Sequence, residues 1–190
     1  MSDFRPSGFS VLPTVVKNLL ILNVLFFLAT IATDVVLHID LKDYLGLHYI
    51  GASDFQPFQL VTYMFMHGGF THLFFNMLWL YFFGRLFLRY FGNRQFIIVY
   101  LGGGLAGALL YLLGYNLLPY YRPMVDFSIL AGASAAILSL TVAMAFYRPE
   151  DELNLMFFGR VKMKWLAIVD AVIFVVGIVT VRFPFNLLPL

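Results

Sequence analysis

Ser134 stands in the run Leu130-Ala131-Gly132-Ala133-Ser134-Ala135-Ala136, a hydroxyl surrounded by the smallest side chains available. Earlier in the chain, His67-Gly68-Gly69-Phe70-Thr71-His72-Leu73-Phe74-Phe75-Asn76 holds two imidazoles and a carboxamide among apolar residues. His72 and Asn76 are four apart, so on a helix both point at one spot, while His67 precedes the helix or sits in its first turn. A hydroxyl, an imidazole and a carboxamide meeting at one place are the parts of an acyl-transfer site: a nucleophile and donors for an oxyanion. Structural readings stand beside this one. A serine in a helix bonds the carbonyl four residues back, and the spacings Gly132 to Ala136, Ala135 to Ser139 and Ser139 to Ala143 make a helix-packing face. For His67, hydrogen bonding between helices is the preferred role.

The elements that must position these groups belong in lipid. Of 190 residues, 62% are hydrophobic and 12% charged, more apolar surface than a water-soluble domain of this size needs. Apolar stretches from Asn18 to Leu37, Phe70 to Leu88, Phe96 to Leu118, Phe127 to Tyr147 and Trp165 to Val181 each approach the roughly 20 residues that a helix needs to span a bilayer. Unpaired amides are prohibitive in lipid, and the stretches lack the alternation of barrel strands. The expected fold is all-α: one polytopic membrane helical bundle over residues 1–190, with about five transmembrane helices. Basic residues near span ends stay on the cytoplasmic side. A cytoplasmic N-terminus puts Arg5, Lys17, Arg85, Arg89, Arg94, Arg148, Arg160, Lys162 and Lys164 inside and leaves Lys42, Arg122 and Arg182 outside. The second and fourth spans then both enter from the outer face. Asn76 is expected about 9 Å below the outer end of its helix, with Ser134 at a similar depth in a helix that starts near Phe127.

The connection from His38 to Phe58 mixes charge with Leu, Tyr and Phe, and reads as a partly folded loop in the membrane interface whose histidines lie on its surface. With no cysteine and four scattered histidines, no thiol chemistry, metal site or cofactor is expected. The net charge of +2 belongs to the inside-positive bias and implies no nucleic-acid partner. Asp170 is an ionisable group at membrane depth, for which pairing with Lys164 or Arg160 weighs against a functional role.

Together these residues resemble the rhomboid intramembrane serine proteases. The resemblance covers His67, His72 and Asn76 as His-x-x-x-x-His-x-x-x-Asn, the Leu-rich helix ending in Gly84, Gly92, the Gly-rich third span, and Gly132-Ala133-Ser134 as Gly-x-Ser. Leu12-Pro13-Thr14-Val15-Val16-Lys17-Asn18-Leu19-Leu20 and Tyr44-Leu45-Gly46-Leu47-His48 look like bacterial members, those of Bacteroidetes-type bacteria in particular. The resemblance implies a multi-pass serine endopeptidase of the bacterial cytoplasmic membrane that cleaves the transmembrane segments of other membrane proteins. Ser134 matches the nucleophile, His72 and Asn76 match the oxyanion side chains, and His67 and Gly132 match supporting positions.

The chain departs from that pattern after Ser134. Rhomboid-like members take their base from a histidine in a sixth span, in the context Ala-His-x-x-Gly. Here His38, His48, His67 and His72 all precede Ser134, and the tail from Arg182 to Leu190 is too short and proline-interrupted for another span. These 190 residues are therefore expected to be inactive or nearly so. Two smaller departures are Ala135, where the pattern has glycine, and Leu88, where many members carry a glutamate. The leading reading is a protease whose sixth span lies outside this sequence. The alternative is a pseudoprotease that binds membrane helices without cutting them. A small transporter is disfavoured, because no inverted repeat or paired charges mark a path.

Overall fold

The computed structural model describes residues 12–117, 128–155 and 159–180. In chain order the elements are α1 (Thr14–Leu37), α2 (Leu41–Leu45), α3 (Gln59–Thr62) continued by a 3₁₀ turn (Tyr63–Phe65), α4 (Phe70–Tyr90), α5 (Asn93–Leu117), α6 (Ser134–Tyr147), the strands β1 (Glu152–Leu155) and β2 (Gly159–Lys162), and α7 (Met163–Thr180). Arg5, Arg122 and the tail from Arg182 to Leu190 lie outside the described residues.

The chain forms a helical bundle in which α4 packs on α1 and α6, and α6 packs on α5 and α7. Two helices, α1 and α5, are long and apolar enough to cross a bilayer by length and composition, and α6 is a shorter apolar helix. Much of the apolar surface of α1, α5 and α7 faces outward: Leu25, Leu28, Val35, Leu109, Leu110 and Ile173 are each at least half exposed. A water-soluble monomer does not display apolar area on this scale, whereas lipid covers it without cost. The protein is a membrane protein.

Inside the bundle, small residues set the helix spacing. A β-carbon on Gly103 of α5 would lie 2.1 Å from Ser139 Oγ, and one on Gly107 would lie 2.5 Å from Ala135 Cβ. The packing face expected on α6 thus meets the glycines of α5. The contact is polar as well, since the Ser139 hydroxyl lies 2.8 Å from Val99 O and 2.7 Å from Ala136 O, two carbonyls that share its one proton. Gly103→Ala is expected to lower stability by roughly 1–3 kcal/mol through overpacking. Gly102, with open space where its β-carbon would go, is the matched control, and Gly102→Ala should be neutral or mildly stabilising. Midpoints of unfolding by SDS in mixed micelles measure both, and equal midpoints would reject the tight contact.

Three features depart from the sequence expectations. The fourth long helix starts at Ser134 instead of Phe127, because the chain before it is extended and paired elsewhere: Leu130 exchanges two 2.9 Å backbone hydrogen bonds with Leu47, and Gly132 N–H donates to Tyr63 O at 2.9 Å. A two-stranded antiparallel hairpin, β1 with β2, interrupts the all-α plan between α6 and α7, pairing Glu152 with Lys162 and Leu153 with Val161. His48, expected on the loop surface, is buried. Its Nε2 lies 2.7 Å from Asp43 O, and its backbone N–H donates to Gln59 Oε1. Gln59, also buried, gathers the loop: Oε1 accepts from the amides of His48 and Gln56, while Nε2 donates to Tyr44 O and Asp54 O.

Candidate active site

Ser134 is the first residue of α6 and is half-buried. The residue before the helix is Ala133, whose methyl cannot cap, so no side chain occupies the amide groups that open the helix. Those amides and the positive end of the helix dipole lie at the residue that carries the hydroxyl. What delivers Ser134 to this position is the preceding extended segment. Leu47 and Tyr63 hold it at Leu130 and Gly132, and Tyr111 OH donates to Ser128 O at 2.6 Å.

Gly132 sits at φ +126°, a conformation that side chains rarely adopt. A β-carbon there would lie 2.9 Å from both Cε1 and Nε2 of His72 and 3.7 Å from Ser134 Oγ. The imidazole of His72, an exposed residue of α4, therefore lies with its Cε1–Nε2 edge against Gly132, the same glycine that Ser134 Oγ approaches. Its other nitrogen, Nδ1, is 3.3 Å from Gly68 N and accepts that N–H. An Nδ1 that accepts leaves the proton of a neutral imidazole on Nε2. On the edge that meets Gly132, His72 is thus a hydrogen-bond donor and presents no lone pair.

The structure brings together Ser134, Gly132 and His72, and sets Asn76 one turn along α4 on the same face. Asn76 is buried and its Nδ2 donates to His72 O at 2.9 Å, which leaves one amide proton for another acceptor. His67 does not join the cluster directly. Its ring meets that of His72 edge-on with centroids 5.2 Å apart, Nδ1 lies 3.3 Å from Phe65 O, and the buried Nε2 has no partner. Gly68 and Tyr63, which orient His72 and Gly132, are absent from the residues the sequence pattern points to, because their role is a backbone contact with a distant segment or the next turn.

Burial, and then the neighbouring His72, push the His67 imidazole down to about 4. The unfolded chain, with an imidazole near 6.5, binds this proton more readily than the folded one. The stabilisation is whole above about pH 6.5 and is lost as pH falls toward 4, by about 3 kcal/mol in all. Unfolding midpoints taken from pH 7.5 to 4.5 should fall more steeply for the wild type than for His67→Phe, and parallel curves would show that His67 is not held neutral by burial.

Residues 54–186 match the family model of the Rhomboid domain. Over 99 residues the chain is 31% identical to "Putative rhomboid protease YdcA" of Bacillus subtilis (strain 168), a match that covers 52% of this chain and 45% of that protein. Over 117 residues it is 31% identical to "RHOMBOID-like protein 12, mitochondrial" of Arabidopsis thaliana, covering 57% of this chain and 35% of that one. The chain spans less than half the length of the curated relatives it matches. No solved structure matches.

Proposed function

Since the chain belongs to the rhomboid family, we propose that its residues form the nucleophile and oxyanion half of an intramembrane serine endopeptidase that cuts transmembrane segments of other proteins. The observation that supports this most is the His72 imidazole, held with its Nε2 edge against Gly132, the glycine that precedes by two residues a serine at an uncapped helix start. In this reading Ser134 Oγ attacks a peptide carbonyl of the substrate and loses its proton to a base. The carbonyl oxygen becomes an oxyanion that accepts from His72 Nε2–H, the Ser134 amide and Asn76 Nδ2. The amine then leaves with a proton, and water hydrolyses the acyl-enzyme. The helices cross the membrane five times with the N-terminus in the cytoplasm of a bacterium, so the site opens toward the outer face.

None of the four histidines follows Ser134, and the one that meets Gly132 presents a proton there. The base belongs to a histidine beyond these 190 residues, in a further helix. A second reading draws on the same observation: without such a histidine, the site holds a substrate helix and does not cut it. The two diverge in one experiment, in which the chain in phospholipid vesicles meets a transmembrane substrate with and without an added base-bearing helix. Cleavage that needs that helix and Ser134 supports the protease. Binding with no cleavage in either form supports the pseudoprotease.

A further inference from the structure

Among the described residues, α7 carries one buried polar side chain, Asp170. Of the two basic residues expected as its partners, Lys164 binds Glu150 ahead of the hairpin, as Lys162 also does. The Asp170 carboxyl instead faces Thr141 of α6 and Trp79 of α4 within hydrogen-bonding reach, and its Oδ2 is buried without a partner. These two neighbours ask for different things. The indole N–H only donates. The Thr141 hydroxyl spends its proton on Ile137 O at 3.1 Å, so toward Asp170 it offers lone pairs. A group that fits both presents one acceptor and one donor.

We propose that Asp170 is a positioning residue, a hydrogen-bonding clamp that keys α7 against α4 and α6 beneath the active site. Trp79 lies three residues past Asn76, and Thr141 lies seven past Ser134, so the clamp sits roughly one and two helical turns below the oxyanion groups and the nucleophile. It ties the helix that carries His72 and Asn76 to the helix that begins at Ser134. Its value to catalysis rests on the reading of the site given above, but the clamp itself does not.

The absence of cysteine and the presence of only two tryptophans make the test direct. In a Trp165→Phe background Trp79 reports its own environment. Spin labels on cysteines at Phe75 and Ile173, both exposed, report the α4 to α7 distance. Asp170→Leu should shift the Trp79 emission to the blue and broaden the distance distribution. Asp170→Asn, whose carboxamide accepts and donates in the same places, should restore both to the wild-type signals. The clamp is overturned if Asp170→Leu leaves both signals unchanged, or if Asp170→Asn loses them as the leucine does. Should Asp170→Leu not fold, Thr141→Val removes the acceptor at constant shape: a broadened distribution supports the clamp and an unchanged one rejects it. Neither signal depends on peptide cleavage, so failure here leaves Ser134 as assigned, and an unreactive Ser134 leaves the clamp intact.

Discussion

Extending these 190 residues with a hydrophobic helix that carries an Ala-His-x-x-Gly segment is expected to raise cleavage of a transmembrane substrate by roughly 10⁶-fold, the loss typical when a serine hydrolase is deprived of its histidine. The size follows from how the site is divided. In the proposed site, Ser134, the open amides of α6 and His72 would supply attack geometry and charge stabilisation, but the hydroxyl is a poor nucleophile until something takes its proton. The four histidines all lie among the described residues, His72 is the one whose ring meets Gly132, and the Gly68 N–H on Nδ1 leaves its proton on that Nε2 edge. Without the added helix, the wild-type chain should match Ser134→Ala in a gel-based cleavage assay and should resist a fluorophosphonate probe. Probe labelling of the unextended chain that disappears in Ser134→Ala would overturn this, and would require His72 to turn its lone pair inward.

Gly132→Ala carries the second large effect. At φ +126° an added methyl is strained, by roughly 1–3 kcal/mol, and the methyl would also occupy space 2.9 Å from the inner edge of the His72 ring. The imidazole must move, and with it the donor proposed for the oxyanion. In the extended chain, kcat should fall about 10²- to 10³-fold, the usual cost of one such donor, with much less change in KM. Because both substitutions remove the same interaction, the double variant Gly132→Ala, His72→Ala should be little worse than His72→Ala alone. Additive losses would separate Gly132 from His72 and show that the glycine serves some other contact.

The parts of this site that could be read without coordinates are those governed by local periodicity. His72 and Asn76 share a face because they are one helical turn apart, and α4 does run through both. The glycines of the third span meet the small residues of α6 because close helix packing in lipid selects such residues at both partners. Other expectations failed where a residue's partner lies on a different segment, outside the local periodicity. His48 looked like a surface histidine until Gln59 and Asp43 closed around it. Asp170 looked like a partner for Lys164, whose ammonium binds Glu150 instead.

The position of Ser134 shows the division most clearly. By itself the sequence determined a membrane-embedded helical protein, the face shared by His72 and Asn76, and a serine among small residues, since apolar length and residue spacing act within one segment. It placed that serine inside a helix. Only the tertiary structure decided that the helix begins there, because Leu47 and Tyr63 take the backbone hydrogen bonds that would have extended it, and Gly132 turns the chain against His72. Those bonds join residues far apart in sequence, so no local pattern encodes them, and they leave the first amides of α6 open beside the hydroxyl.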